Sequence, residues 1–173
     1  MRTWIARIAR GAASGAAATA VMTGWMLATA PRDPRFEQPP HRIVRRAARR
    51  LGVPVRRRDP RLVPATAVAH FAFGAAGGAG YALLRRQPSL PTALAYATGI
   101  WATSYAGWAP ALRLIPAPPH DDRHRQVLTF TAHLVYGAAL ALAARRLLGD
   151  RPRPADSSAP AQAAAVRAIG SRS

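Results

Sequence analysis

Arginine is absent from four long stretches of this chain and crowds the gaps between them. Gly11 to Ala30 runs 20 residues without a charge, Leu62 to Leu84 runs 23, Gln87 to Leu112 runs 26 and Val127 to Ala144 runs 18. A helix needs roughly 20 predominantly apolar residues to cross the hydrocarbon core, within about 17–25. The pattern predicts an all-α fold, a four-span transmembrane helical bundle with spans at about 11–30, 62–84, 88–112 and 127–144. These spans are rich in Ala, Gly and Thr rather than Leu and Ile, and the loops cancel them in the chain average. The first stretch has a second reading. Arg2, Arg7 and Arg10 precede an apolar run ending at Ala28-Thr29-Ala30, the form of a signal peptide, although Pro31 directly after that site opposes cleavage. A soluble all-helical protein is the remaining alternative.

The segments between spans have characters of their own. Residues 1–10 form a basic lead-in whose Trp4, Ile5 and Ile8 suit an interface. Residues 31–61 carry 11 arginines and hold the arm HRIVRRAARRL at 41–51. At 100° per residue, Ile43, Val44, Ala47, Ala48 and Leu51 share one arc. Arg42, Arg45, Arg46, Arg49 and Arg50 share the opposite one. That division predicts a helix lying in the membrane surface with its arginines on anionic lipid head groups. The alternative is a helix packed on its own domain with its arginines in water. The short turn at Arg85, Arg86 and Pro88 makes spans two and three antiparallel neighbours. Residues 147–173 contain too little apolar surface to offset ordering, which predicts a disordered tail.

Two segments echo each other. Residues 66–76 read TAVAHFAFGAA and residues 129–139 read TFTAHLVYGAA. The matches that alanine content does not explain are Thr66 with Thr129, His70 with His133, Phe73 with Tyr136, and Gly74 with Gly137. Upstream, Gly24-Trp25 and Pro39-Pro40-His41 precede the first copy as Gly107-Trp108 and Pro118-Pro119-His120 precede the second. Three motifs recurring in order predict two tandem helical hairpins, with the arginine arm inserted in the first. In a parallel repeat of this kind His70 and His133 come to similar depth. Histidine, aromatic and glycine at i, i+3 and i+4 share one helix face. Lipid offers an imidazole no partner, so the set His70, Phe73, Gly74, His133, Tyr136 and Gly137 is expected in the bundle interior. Small residues at Gly11 and Gly15, at Gly74 and Gly78, and at Gly99, Thr103 and Gly107 make stripes along which membrane helices pack closely.

The buried rings admit three roles. The plainest is an interhelical hydrogen bond to a backbone carbonyl, Ser104 or Thr103. The second is bis-histidine haem ligation by His70 and His133, the chain's one candidate cofactor pair. The third is a proton or solute path, although no acidic or basic side chain lies within a span to continue a relay.

Charge changes the picture less than its size suggests. The net charge is +18 and all 25 basic residues are arginine. A nucleic-acid partner would account for the charge, but its confinement to loops between apolar runs points to a bilayer, and no nucleic acid is expected. The absence of cysteine excludes disulfides, thiolate metal sites and cysteine nucleophiles. His120, Asp121, Asp122 and His124 hold metal-type donors at a spacing that fits no zinc motif, and a solvated loop is the simpler reading, so no metal site is expected. Neither a catalytic triad, a phosphate loop nor a paired-carboxylate site is legible, so no enzyme activity and no resident cofactor are expected.

GAASGAAATAVMT at the start, PPHRIVRRAARRLG in the arm, AHFAFGAAGGAGYALL, WATSYAGWAPALRLIPAPP and AHLVYGAALA together resemble the YagU-like family of bacterial inner-membrane proteins of unknown function. The resemblance spans about residues 11–146. It implies a four-span integral membrane protein and carries over no catalytic residue, cofactor or substrate. The leading expectation is a non-enzymatic accessory or envelope component, multi-pass in the bacterial inner membrane. Its partners are the lipid bilayer and anionic head groups, with a homo-oligomer also compatible. The alternatives are the haem-binding redox protein and a small channel or transporter subunit. The arm's side of the membrane holds 14 arginines against 11 on the other, a bias that favours the arm in the cytoplasm only slightly.

Overall fold

The computed structural model describes residues 2–31 and 36–148. Among these the chain is helical and contains no strand. Its long helices are α1 (Arg2–Thr29), α2 (Pro39–Arg50), α3 (Leu62–Leu84) and α4 (Leu90–Trp101). A single turn, α5 (Ala109–Ala111), and a 3-10 turn at Pro118–His120 lead to α6 (Arg123–Leu148). The tail from residue 149 onward lies outside the described residues. α3 occupies the limits that the charge-free run marks. α1 and α6 run past theirs, because arginine is a good helix former and does not stop a helix where it leaves an apolar environment. The lead-in is therefore continuous with the first long helix.

The stretch 88–112 differs most from expectation, since it is not one α-helix. Regular winding stops at Trp101, and Ala102–Trp108 is wound as a wider π-type segment with a kink at Gly107 (φ −105°, ψ −106°). Pro110 is the cause. It has no N–H to donate, and its ring crowds the carbonyl one turn back, so the preceding turn opens. α2 ends as its sequence directs. Gly52 takes φ +79°, Gly52 N–H donates to the Arg49 carbonyl and Val53 N–H to the Ala48 carbonyl, a Schellman cap.

α1 packs along α3 and α6, and α4 packs along α6, whereas α3 barely touches α4. Glycine sets the closeness of the first pair. A Cβ on Gly78 would lie 2.5 Å from the Gly15 Cα, and one on Gly15 would lie 2.8 Å from the Gly78 Cα, so the two backbones are in contact. Gly137 makes the corresponding approach to α4, where an added Cβ would sit 3.0 Å from the Ala97 side chain. The two echoed glycines thus both lie against a preceding helix, Gly74 facing Thr19 of α1 and Gly137 facing α4. The third stripe does not pack within the chain, since added Cβ atoms at Gly99 and Gly107 would meet nothing within 4 Å.

Side chains close the ends. Arg7 of α1 reaches the last turn of α3, Nε donating to the Ala82 carbonyl at 2.6 Å and Nη2 to the Arg85 carbonyl at 2.5 Å. A guanidinium is favoured there because the helix C-terminus exposes unpaired carbonyls and carries partial negative charge. Two tyrosines bind α3 to its neighbours: Tyr96 donates to the Gly77 carbonyl and Tyr136 to the Gly74 carbonyl, both at 2.9 Å.

α3 and α6 are long and apolar enough to cross a membrane. The most apolar window of α3 is only 22% buried within the chain. Val63, Val68, Phe71 and Leu83 face outward on it, as do Val127 and Leu142 on α6. A core helix usually hides such residues, so this is an apolar surface left uncovered by the described residues.

Candidate functional site: an interior cavity

The echoed motifs converge on one place. Thr66, His70 and Phe73 from α3 and Thr129, His133 and Tyr136 from α6 all line a single cavity of about 280 Å³. α1 contributes Met22 and Met26 to its wall, and Trp101, Tyr105 and Trp108 come from α4 and the π-type segment. The loosened winding matters here: Trp101 and Tyr105 stack almost parallel, with centroids 5.5 Å apart and planes 10° from each other, and both face the cavity. Among the described residues no charged side chain lines it.

The polar groups along this wall can be accounted for one by one. Thr19 donates to the Gly15 carbonyl and Ser104 to the Ile100 carbonyl, each within its own helix. Thr129 likewise donates back to the Arg125 carbonyl, and Tyr136 is spent on Gly74. Tyr105 donates to Asp121 at 2.7 Å, and Asp121 in turn accepts from Arg125 at 2.8 Å. The histidines behave differently from the expected interhelical ties. His133 Nδ1 lies 2.7 Å from the Thr129 carbonyl of its own helix. A carbonyl only accepts, so Nδ1 carries the proton, and in the neutral ring Nε2 is left as an acceptor. Nε2 has no partner among the described residues. His70 Nε2 and the Thr66 hydroxyl are buried and also lack partners. Neither Ser104 nor Thr103 reaches an imidazole, because each hydroxyl bonds the preceding turn of its own helix.

Of the six expected interior residues, Gly74, Tyr136 and Gly137 are buried and both histidine rings are half-buried. Phe73 departs from the expectation. It is 48% exposed and sits at the cavity's edge, its ring centroid 6.2 Å from that of Trp108, which is itself exposed. The weak contact between α3 and α4 leaves this edge without a covering helix.

The arm lies partly over the cavity. Pro39, Pro40, Ile43 and Val44 of α2 line it, so the start of the apolar arc turns inward to its own bundle, while Leu51 at its end is exposed. Arg45 is correspondingly engaged by protein, with Nε and Nη2 donating to the two Glu37 carboxylate oxygens at 2.8 and 2.9 Å. Arg46 donates to the Arg113 carbonyl at 3.1 Å, and Arg42 is half-buried, while Arg49 and Arg50 are exposed. Burial pushes the Glu37 carboxyl up, but hydrogen bonds from Arg45 and His41 outweigh it and leave its pKa below the ordinary 4.5. The same bond raises the Arg45 pKa.

Two features escaped the sequence reading. The Tyr105–Asp121–Arg125 chain spans loop and helix, and only the i, i+4 spacing of Asp121 and Arg125 hinted at it. The Glu37–Arg45 pair joins loop to arm, and its only signal was one of three acids among the eleven arginines of residues 31–61. The loop cluster is spoken for: Asp121 serves Tyr105 and Arg125, and Asp122 accepts from the Arg125 N–H. No group of three metal-type donors converges among the described residues. Nor does the cavity fit haem. A cavity of ~150 Å³ holds a benzene, and 280 Å³ is less than twice that, whereas a porphyrin is several times larger than benzene.

No family model, curated protein or solved structure matches this chain.

Proposed function

We propose that this chain is a small multi-pass integral membrane protein of the bacterial inner membrane, a YagU-like, non-enzymatic accessory component built from two tandem hairpins. The observation that carries the reading is the outward apolar face of α3, whose length suits a bilayer and whose valines and leucines are uncovered among the described residues. The pairings α1 with α3 and α4 with α6 support the hairpins, as does the like placement of Gly74 and Gly137 against preceding helices. α1 and the α4–α5 stretch would complete four spans, with Arg49 and Arg50 of the arm left free for lipid phosphates.

Absence of cysteine makes the test direct, since single cysteines need no prior background removal. Arg86→Cys and His120→Cys mark the two loops that flank the third stretch. Four spans place them on opposite sides of the membrane, and an impermeant maleimide then labels one from each face. If only α3 and α6 cross, both label from the same face, and the four-span reading is wrong.

A further inference from the structure

The cavity is a site with its polar recognition left open. Every hydroxyl around it except Thr66 is committed to the protein, and what remains is an imidazole acceptor on His133, the His70 ring and the Thr66 hydroxyl. Buried polar groups without partners are costly, and His70 Nε2 and the Thr66 hydroxyl are two of them, whereas His133 Nε2 is not closed off; the same three positions are those that the internal echo repeats or pairs. The rest of the wall is methionine, aliphatic and aromatic. An ionic ligand finds no countercharge there, and a purely apolar one leaves the imidazoles unpaired.

Size and access narrow the class further. Scaled from the ~150 Å³ that accommodates benzene, 280 Å³ takes a head group of one or two fused rings. The stacked Trp101 and Tyr105 give such a ring a flat wall. Phe73 and Trp108 line the cavity and are also exposed on the outer surface, at the one flank where α3 and α4 scarcely meet. That flank is continuous with the apolar outer face of α3, so entry is sideways, from lipid.

We propose that this cavity binds a neutral, lipid-soluble ring compound bearing a hydroxyl donor, of the phenol or hydroquinone class, with His133 Nε2 accepting its hydroxyl. Binding involves no bond breakage and no electron transfer. The supply of such a ligand rests on the membrane reading above, but binding in detergent tests the cavity apart from the number of spans.

The experiment uses the full chain in mild detergent with 2-naphthol and 2-methoxynaphthalene, which match in shape but differ in the hydroxyl donor. Tryptophan quenching reports occupancy, and equilibrium dialysis against protein-free micelles gives stoichiometry. The expected result is saturable binding of 2-naphthol at one per chain, about tenfold tighter than the methyl ether, the worth of one net hydrogen bond. His133→Leu should remove that preference while the methyl ether binds as before. Equal affinity for the two probes in the unaltered protein overturns the proposal, as does partitioning no greater than in empty micelles. A preference that survives His133→Leu overturns the assignment of the acceptor. The two-probe comparison needs no variant, so it stands even if His133→Leu does not fold.

Discussion

Gly78→Ala adds one methyl group where two helix backbones already touch. That Cβ would lie 2.5 Å from the Gly15 Cα and from the Gly15 nitrogen, with the Gly11 carbonyl crowded as well. Ordinary contact between such atoms is near 3.5–4.0 Å, so α1 has to withdraw by roughly 1 Å along part of its length. None of the opposing atoms belongs to a flexible side chain that can swing away. Overpacking of this kind costs about 1–3 kcal/mol, and the better helix propensity of alanine returns at most about 1 kcal/mol. The net expectation is a loss of about 1–2 kcal/mol. Gly99→Ala is the matched control, because its Cβ would meet nothing within 4 Å, and it should be neutral or stabilising by up to about 1 kcal/mol. Both are measured as unfolding free energies in mixed micelles of mild detergent and SDS, followed by helical circular dichroism. If Gly78→Ala is as stable as Gly99→Ala, α1 and α3 do not pack backbone to backbone.

Other perturbations probe separate parts of the bundle. Tyr136→Phe removes the hydroxyl that ties α6 to the Gly74 carbonyl and should cost about 0.6–1.7 kcal/mol in the same assay; no loss would mean the carbonyl is satisfied by its own helix alone. His70→Leu deletes a buried nitrogen that has no partner, so ligand-free protein should be as stable or more stable, and a loss above about 1 kcal/mol would reveal a hydrogen bond that this structure lacks. Glu37 has a lowered pKa when folded, so its ion pair with Arg45 contributes above the unfolded value and is lost as pH falls through the folded one. Labelling of a Val44→Cys variant, taken as a ratio to that of an exposed Gly52→Cys variant because thiol reactivity itself falls with pH, should therefore rise as pH drops below about 4.5, and Glu37→Gln should raise that ratio at every pH; a pH-independent ratio in the unaltered background would exclude Glu37 as the latch of the arm.

Much of this architecture is written in where arginine is absent. α3 keeps the limits of its charge-free run because Asp59 and Pro60 precede it and Arg85 and Arg86 follow it. The third stretch is interrupted for a definite reason. Its run is equally free of charge, but Gly107 and Pro110 sit inside it, and a proline within a helical pattern ends or opens the helix before it. Hydropathy carries no information about that. The arm was read correctly as amphipathic, while the object beneath its apolar arc was not readable, since a membrane surface and the mouth of a cavity ask for the same periodicity. Glu37 turns Arg45 of the opposite arc toward protein, a pairing across eight residues and a helix start that no local pattern encodes. The cavity depends on contacts between residues some sixty positions apart. The internal echo marked its residues without saying that they share one space.

The claim on which the rest depends is that the outer face of α3 meets lipid. Nitroxide labels at Val68→Cys and Phe71→Cys, in protein reconstituted into bilayers, test it most directly. Lipid exposure predicts ready collision with molecular oxygen and little with a water-soluble nickel chelate at both sites, and the opposite ratio at Gly52→Cys in the polar loop after α2. If the nickel chelate reaches positions 68 and 71 as freely as position 52, that face of α3 lies in water, and the membrane reading fails.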